Sequence, residues 1–100
     1  MIDIGLSEKE IGLMKDVFAG YHDIEKVVIF GSRAKGTARN NSDVDFAIWG
    51  IKDELQIAAI AMDLDDLPLP YKFDVVSFLD ISNTALQEHI ERVGVLFYRS

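Results

Sequence analysis

Lys26-Val27-Val28-Ile29-Phe30-Gly31-Ser32 and, after ten residues, Asp43-Val44-Asp45-Phe46-Ala47-Ile48-Trp49 are the stretches that decide how this chain folds. The first is apolar and rich in β-branched residues up to Phe30, as expected of a buried strand. Gly31-Ser32 follows without a spacer, so the backbone is expected to turn there into a short helix over Arg33 to Lys35. The second stretch alternates: Val44, Phe46 and Ile48 fall on one face of a strand, and Asp43, Asp45 and Ala47 on the other. Between the two, Thr37 to Ser42 is polar and carries two adjacent asparagines, which predicts a loop.

Upstream, Ser7-Glu8-Lys9-Glu10 is a capping box opening a helix with Ile11, Met14, Val17 and Phe18 at helical spacing, closed by Gly20. Downstream, Asp53 caps a second helix carrying Ile57, Ile60, Ala61 and Leu64, which Leu67-Pro68-Leu69-Pro70 breaks. Lys72 to Phe78 reads as a third strand with Asp74 inside it. Ser82 is the expected cap of a last helix with Leu86, Ile90 and Val93, and Val95 to Tyr98 a closing strand. The expected fold is therefore α/β: a small mixed β-sheet, helices covering one face, and a site at the edge of the open face. A length of 100 residues suits a single domain over 1–100.

Composition removes several chemistries. There is no cysteine, hence no disulfide framework, zinc-thiolate site or thiol nucleophile. The longest apolar run, Ile57 to Met62, is six residues, against the ~18 a membrane helix needs. The start Met1-Ile2-Asp3-Ile4 lacks the basic residues of a signal peptide, so a cytoplasmic protein is expected. The formal net charge of −7 disfavours direct nucleic-acid binding through phosphate neutralisation. Arg33, Lys35 and Arg39 nevertheless fall within seven residues, a local positive charge that suits one small polyanion.

Asp43 and Asp45, two apart on a strand, point the same way with bases about 6–7 Å apart. Two like charges at that spacing repel unless a cation neutralises them. A hard divalent ion such as Mg²⁺ prefers carboxylate oxygens, and two such ions can clamp the attacking and leaving oxygens of an in-line phosphoryl displacement. Asp74, the acidic residue well inside the third strand, is the candidate third ligand. Gly31 permits close backbone approach to a ligand, the free N–H groups after it favour an anion, and Ser32 adds a hydroxyl. Together they would cradle the β- and γ-phosphates of a nucleotide, with Arg33 or Lys35 adding charge.

The combination Gly31-Ser32, ten residues, Asp43-Val44-Asp45, with Gly31-Ser32-Arg33-Ala34-Lys35-Gly36 at its head, resembles the minimal nucleotidyltransferases (MNT) of the DNA polymerase β-like nucleotidyltransferase superfamily. The resemblance implies that Asp43 and Asp45 bind metal, that Asp74 binds metal and helps deprotonate an acceptor hydroxyl, and that Ser32 holds the phosphates of ATP. It further implies an adenylyltransferase without the helical acceptor domain of larger relatives, and a helical HEPN protein as partner. In such pairs HEPN is a toxin, and the nucleotidyltransferase is the antitoxin that adds AMP to it. The alternatives are a small-molecule enzyme like aminoglycoside-modifying relatives, and a contact-only antitoxin. Apolar residues around Leu67 to Tyr71 are expected to stay uncovered and to contribute to docking.

Other patterns are weaker. Gly31 to Thr37 mimics a P-loop without the lysine after its second glycine, and Asn41, Asp43 and Asp45 mimic a calcium loop with Phe46 where glycine is required. Asp63, Asp65 and Asp66 suit a solvated helix end, His22 and His89 lack partners at ligand spacing, and Trp49 is expected in the core rather than as a stacking platform.

Overall fold

The computed structural model describes residues 5–31, 33–34 and 43–100. Its elements are α1 (Glu8–Ala19), β1 (Lys26–Phe30), β2 (Val44–Trp49), α2 (Glu54–Asp65), β3 (Phe73–Ser77), a single 3-10 turn (Phe78–Asp80), α3 (Thr84–Val93) and β4 (Val95–Arg99). Arg33 and Ala34 lie in a turn, and the rest of the short helix expected after β1 falls outside the described residues. The capping box at α1 is complete: Glu10 N–H donates to Ser7 Oγ, and Ser7 N–H donates to the Glu10 carboxylate at 2.9 Å. At α3 the cap is Asn83, not Ser82. The Asn83 carboxamide oxygen accepts from the N–H groups of Ala85 and Leu86, and its carbonyl takes the first helical bond from Gln87.

The four strands form one mixed sheet in the order β3-β2-β1-β4. β1 is antiparallel to β2 and to β4, while β2 and β3 run parallel, joined through α2. One face of the sheet carries Val27, Ile29, Val44, Phe46, Ile48 and Phe97 and is closed by Met14 and Phe18 of α1 and by Ile60 and Leu64 of α2. Phe18 stands edge-on to Phe46 with ring centroids 5.1 Å apart, the geometry that the ring quadrupoles favour. Leu67, Leu69 and Tyr71 pack against this same core, so the segment expected to stay uncovered contributes to the interior instead. The helix ends at Asp65, and beyond it Leu67, Leu69 and Tyr71 are half-buried while Pro68 and Pro70 between them are exposed.

The helices share one face only in part. α1 and α2 do, but Ile90 of α3 packs with Val28, Ala47 and Phe78 on the opposite face. α3 ends at Gly94, where a Cβ would collide with the Ile90 carbonyl and the Val28 side chain. That close approach is what seats α3 on β1. Trp49 is taken up on this second face by the stacked ring of Phe78 at 4.2 Å and by Lys26, whose Nζ lies 4.4 Å from the indole centroid. Among the described residues no helix is long and apolar enough to cross a membrane.

Candidate active site

The alternation of β2 sends Val44, Phe46 and Ile48 into the α1/α2 core, which leaves Asp45 with Ala47 on the other face. The same logic acts on β3: Phe73 and Val75 face the core, and Asp74 and Val76 face away. The parallel register pairs Asp45 directly with Asp74. Adjacent strands lie about 4.8 Å apart, so these two carboxylates stand side by side on one face. Asp43 lies immediately before β2, exposed, on the same side as Asp45 by strand periodicity. The Asp45 carboxyl is pushed above the usual carboxylate range, first by its own burial, then by the charge of Asp74 and then by that of Asp43. All three aspartates therefore share one electrostatic environment.

On the other side of Asp45, β1 pairs it with Phe30, so Gly31 begins its turn beside this carboxylate. Gly31 has φ +77°, a conformation that L side chains rarely adopt, and a Cβ there would strike Asp45 Oδ2. Only glycine lets the strand end and the aspartate lie this close. Ser32 and Lys35 lie outside the described residues. Arg33 is 1% exposed, with its Nη1 donating to the Gly5 carbonyl at 3.2 Å and its guanidinium 4.6 Å from the centre of the Tyr71 ring. It is thus an interior side chain behind the turn rather than an exposed cation in front of it.

The donor set is chemically suited to Mg²⁺: carboxylate oxygens alone, beside the Gly31 turn. Among the described residues no three acidic side chains are already gathered tightly enough to hold an ion. Asp43 and Asp74 are exposed and Asp45 between them is half-buried, so a cation drawing the three together would have to offset their mutual repulsion. Two residues that sequence patterns did not connect with the site lie behind it. Tyr71 donates its hydroxyl to the Glu10 carboxylate at 2.7 Å, and its ring underlies Arg33. The signals were present separately, as a capping glutamate and a tyrosine just ahead of β3, but nothing local joins them. Asp63, expected as a solvated helix end, accepts the Tyr21 hydroxyl at 2.5 Å and ties the segment after α1 to α2.

Several known structures share the fold of this chain. A toxin–antitoxin complex crystallised with AMP-PNP contains a chain 23% identical, with a TM-score of 0.74 over 95% of this chain and 75% of that one. A chain of the MntA-HepT toxin–antitoxin complex is 16% identical, with a TM-score of 0.71 over 94% and 74%. A chain from tri-AMPylated Shewanella oneidensis HEPN toxin in complex with MNT antitoxin is 15% identical, with a TM-score of 0.71 over 95% and 74%. No curated protein sequence matches the chain. The family described as polymerase beta, nucleotidyltransferase, matches residues 13–100, a span that takes in Gly31, Asp43, Asp45 and Asp74. This chain belongs to the polymerase beta nucleotidyltransferase family.

Proposed function

We propose that this nucleotidyltransferase moves AMP from ATP to a hydroxyl of a partner protein of the HEPN type, and so acts as the antitoxin of a toxin–antitoxin pair. The observation that carries the reading is the side-by-side placement of Asp45 and Asp74 on parallel strands, against the Gly31 turn. In this reading Asp43, Asp45 and Asp74 hold Mg²⁺, and Gly31, Ser32 and Lys35 receive the β- and γ-phosphates. Arg33 supports the turn from behind. Mg²⁺, when bound, would neutralise charge on the phosphates and on the three carboxylates.

The acceptor oxygen attacks the α-phosphorus in line with the bond to the β-phosphate. Asp74, exposed at the site's edge, receives the acceptor proton. The bond from the α-phosphorus to the bridging oxygen breaks, pyrophosphate leaves, and AMP remains on the acceptor. Most of the rate comes from positioning and from charge stabilisation, because the reaction asks for no covalent intermediate on the protein. The Gly31 turn contributes by bringing backbone next to Asp45, so that phosphate held at the turn would lie close to the carboxylates that would hold Mg²⁺.

The partner assignment draws support from neighbours of the same fold that are described as toxin–antitoxin complexes, one with AMP-PNP and one with an AMPylated HEPN toxin. The acidic chain also disfavours RNA or DNA as acceptor. The test is to co-express the chain with the product of the adjacent gene and weigh both proteins intact. One or more AMP units on the neighbour, absent with Asp43→Asn, is the expected result. A stable complex without mass change under saturating Mg-ATP would instead identify a contact-only antitoxin. Adenylylation of a small hydroxylated compound, with no complex, would identify a small-molecule enzyme.

A further inference from the structure

Arg33 is among the largest fully buried side chains of the molecule. Arginine cannot shed its charge, and a hydrophobic residue of similar volume would fill the same space without the desolvation cost. Its surroundings suggest what the cation is for. Nη1 donates to the carbonyl of Gly5, just ahead of α1. The guanidinium lies over the Tyr71 ring, 4.6 Å from its centre, an attractive cation–π placement. The Tyr71 hydroxyl in turn donates to Glu10 at 2.7 Å, and Glu10 is already fixed by the Ser7 N–H in the first turn of α1.

These contacts bridge three distant parts of the chain. Arg33 stands two residues after Gly31, and Tyr71 three residues before Asp74. Next to Tyr71, the Lys72 carbonyl accepts from Val44 N–H at 2.8 Å, one residue from Asp45. The same network thus reaches the Gly31 turn and the start of both aspartate strands, while its anchor is a capped helix end outside the site. Glu10 and Tyr71 are aligned with the back of the turn and not with the carboxylate face.

We infer that Glu10, Tyr71 and Arg33 form a strut that positions the Gly31 turn against Asp45, and that Glu10 and Tyr71 are positioning residues for nucleotide transfer. The proposal rests on the proposed reaction for its catalytic consequence, but the strut itself can be measured without it. Tyr71→Phe keeps the ring under the guanidinium and removes only the hydroxyl, so the core volume is unchanged. Glu10→Gln removes the charged acceptor from the other end.

The experiment is amide hydrogen exchange of the full chain, wild type, Tyr71→Phe, Glu10→Gln and the double variant, alongside KM for ATP and kcat. Each single variant is expected to speed exchange in the 30–34 segment about tenfold to a hundredfold, the scale of one charge-assisted hydrogen bond. The double variant should be no faster than either single one, since both break the same link. Protection in the centre of β1 and β2 should be unchanged. KM for ATP should rise severalfold with a smaller change in kcat. Unchanged exchange at 30–34, or a uniform loss of protection over the whole chain, overturns the strut. Altered exchange in variants whose wild type shows no transfer leaves the strut standing and removes the proposed reaction. Altered exchange with unchanged KM and kcat in an active enzyme overturns the positioning role.

Discussion

Replacing Asp45 by Asn should make the metal-free protein more stable while abolishing its activity. Asp45 is partly buried, and its neighbours in charge are Asp74, in direct register across the parallel pair, and Asp43 two residues before it. Taking carboxylates about 5 Å apart, Coulomb's law gives roughly 0.8 kcal/mol of repulsion per pair at the dielectric constant of water and roughly 3 kcal/mol at an effective value of about 20. Asp43 and Asp74 are exposed, so the lower value applies, and relief of the two repulsions should gain Asp45→Asn about 1–2 kcal/mol. For a domain of this size each kcal/mol corresponds to a Tm higher by about 4–8 °C. The pH dependence follows the same sign. The Asp45 carboxyl titrates above its ordinary range in the folded protein, because of burial first and then the two neighbouring charges. Its stabilising contribution is therefore complete below the unfolded value and is lost as pH rises through the folded one. The advantage of Asp45→Asn over wild type should grow with pH across that window and then level off. Thermal melts in chelator, over a pH series, measure it. Mg²⁺ at ten times its Kd should raise the wild-type Tm by the equivalent of about 1.4 kcal/mol and the variant's by much less. An unchanged or lower Tm for metal-free Asp45→Asn would refute the crowding of charge, and an undiminished Mg²⁺ response would refute its role as a ligand.

Three further outcomes are expected. Gly31→Ala should destabilise the chain by about 1–2 kcal/mol from the left-handed backbone alone, displace Asp45, and cut transfer more than it cuts stability, as melts and rates on the same sample would reveal. Asp74→Asn should keep most Mg-ATP binding by calorimetry yet lose transfer by roughly 10²–10⁴-fold, the range for a lost general base; near-normal rates would mean that another group takes the proton. Gly94→Ala should lower the urea midpoint by the equivalent of about 1–3 kcal/mol, as overpacking does, since the added Cβ meets Ile90 and Val28; the distant carboxylate cluster should retain its Mg²⁺ response.

What was legible in the sequence is what strand periodicity controls. Alternation alone put Asp43 and Asp45 on one face and Val44, Phe46 and Ile48 on the other, and Asp74 was placed inside the third strand; that Phe73 and Val75 face the core and Asp74 away from it came from the structure. Pairing Asp45 with Asp74 then needs only a parallel register, which the intervening α2 makes possible. The side of the sheet that α3 covers was not legible. Its helical pattern shows that it has one apolar face, but the choice of partner depends on the close pass of Gly94 over Val28. The Asn83 cap differs from Ser82 by a residue because both side chains can cap, and the helical ladder settles which does.

Arg33 shows the deeper limit. Three cations within seven residues after Gly31-Ser32 read as one basic patch, since local sequence carries charge but not depth. Whether an arginine faces solvent or interior is decided by what can receive it, and here the recipients come from far along the chain: the Gly5 carbonyl, the Tyr71 ring, and Glu10 behind that ring. Tyr71 itself looked like part of an uncovered apolar segment until those same partners drew it inward. A basic residue beside a turn proposed to bind phosphate can thus serve it in two opposite ways, by meeting the ligand or by bracing the backbone that meets it. Burial at 1% exposure separates the two for Arg33. It takes Arg33 out of the proposed phosphate cradle and leaves that role to the Gly31 turn with Ser32 and Lys35, facing the three aspartates.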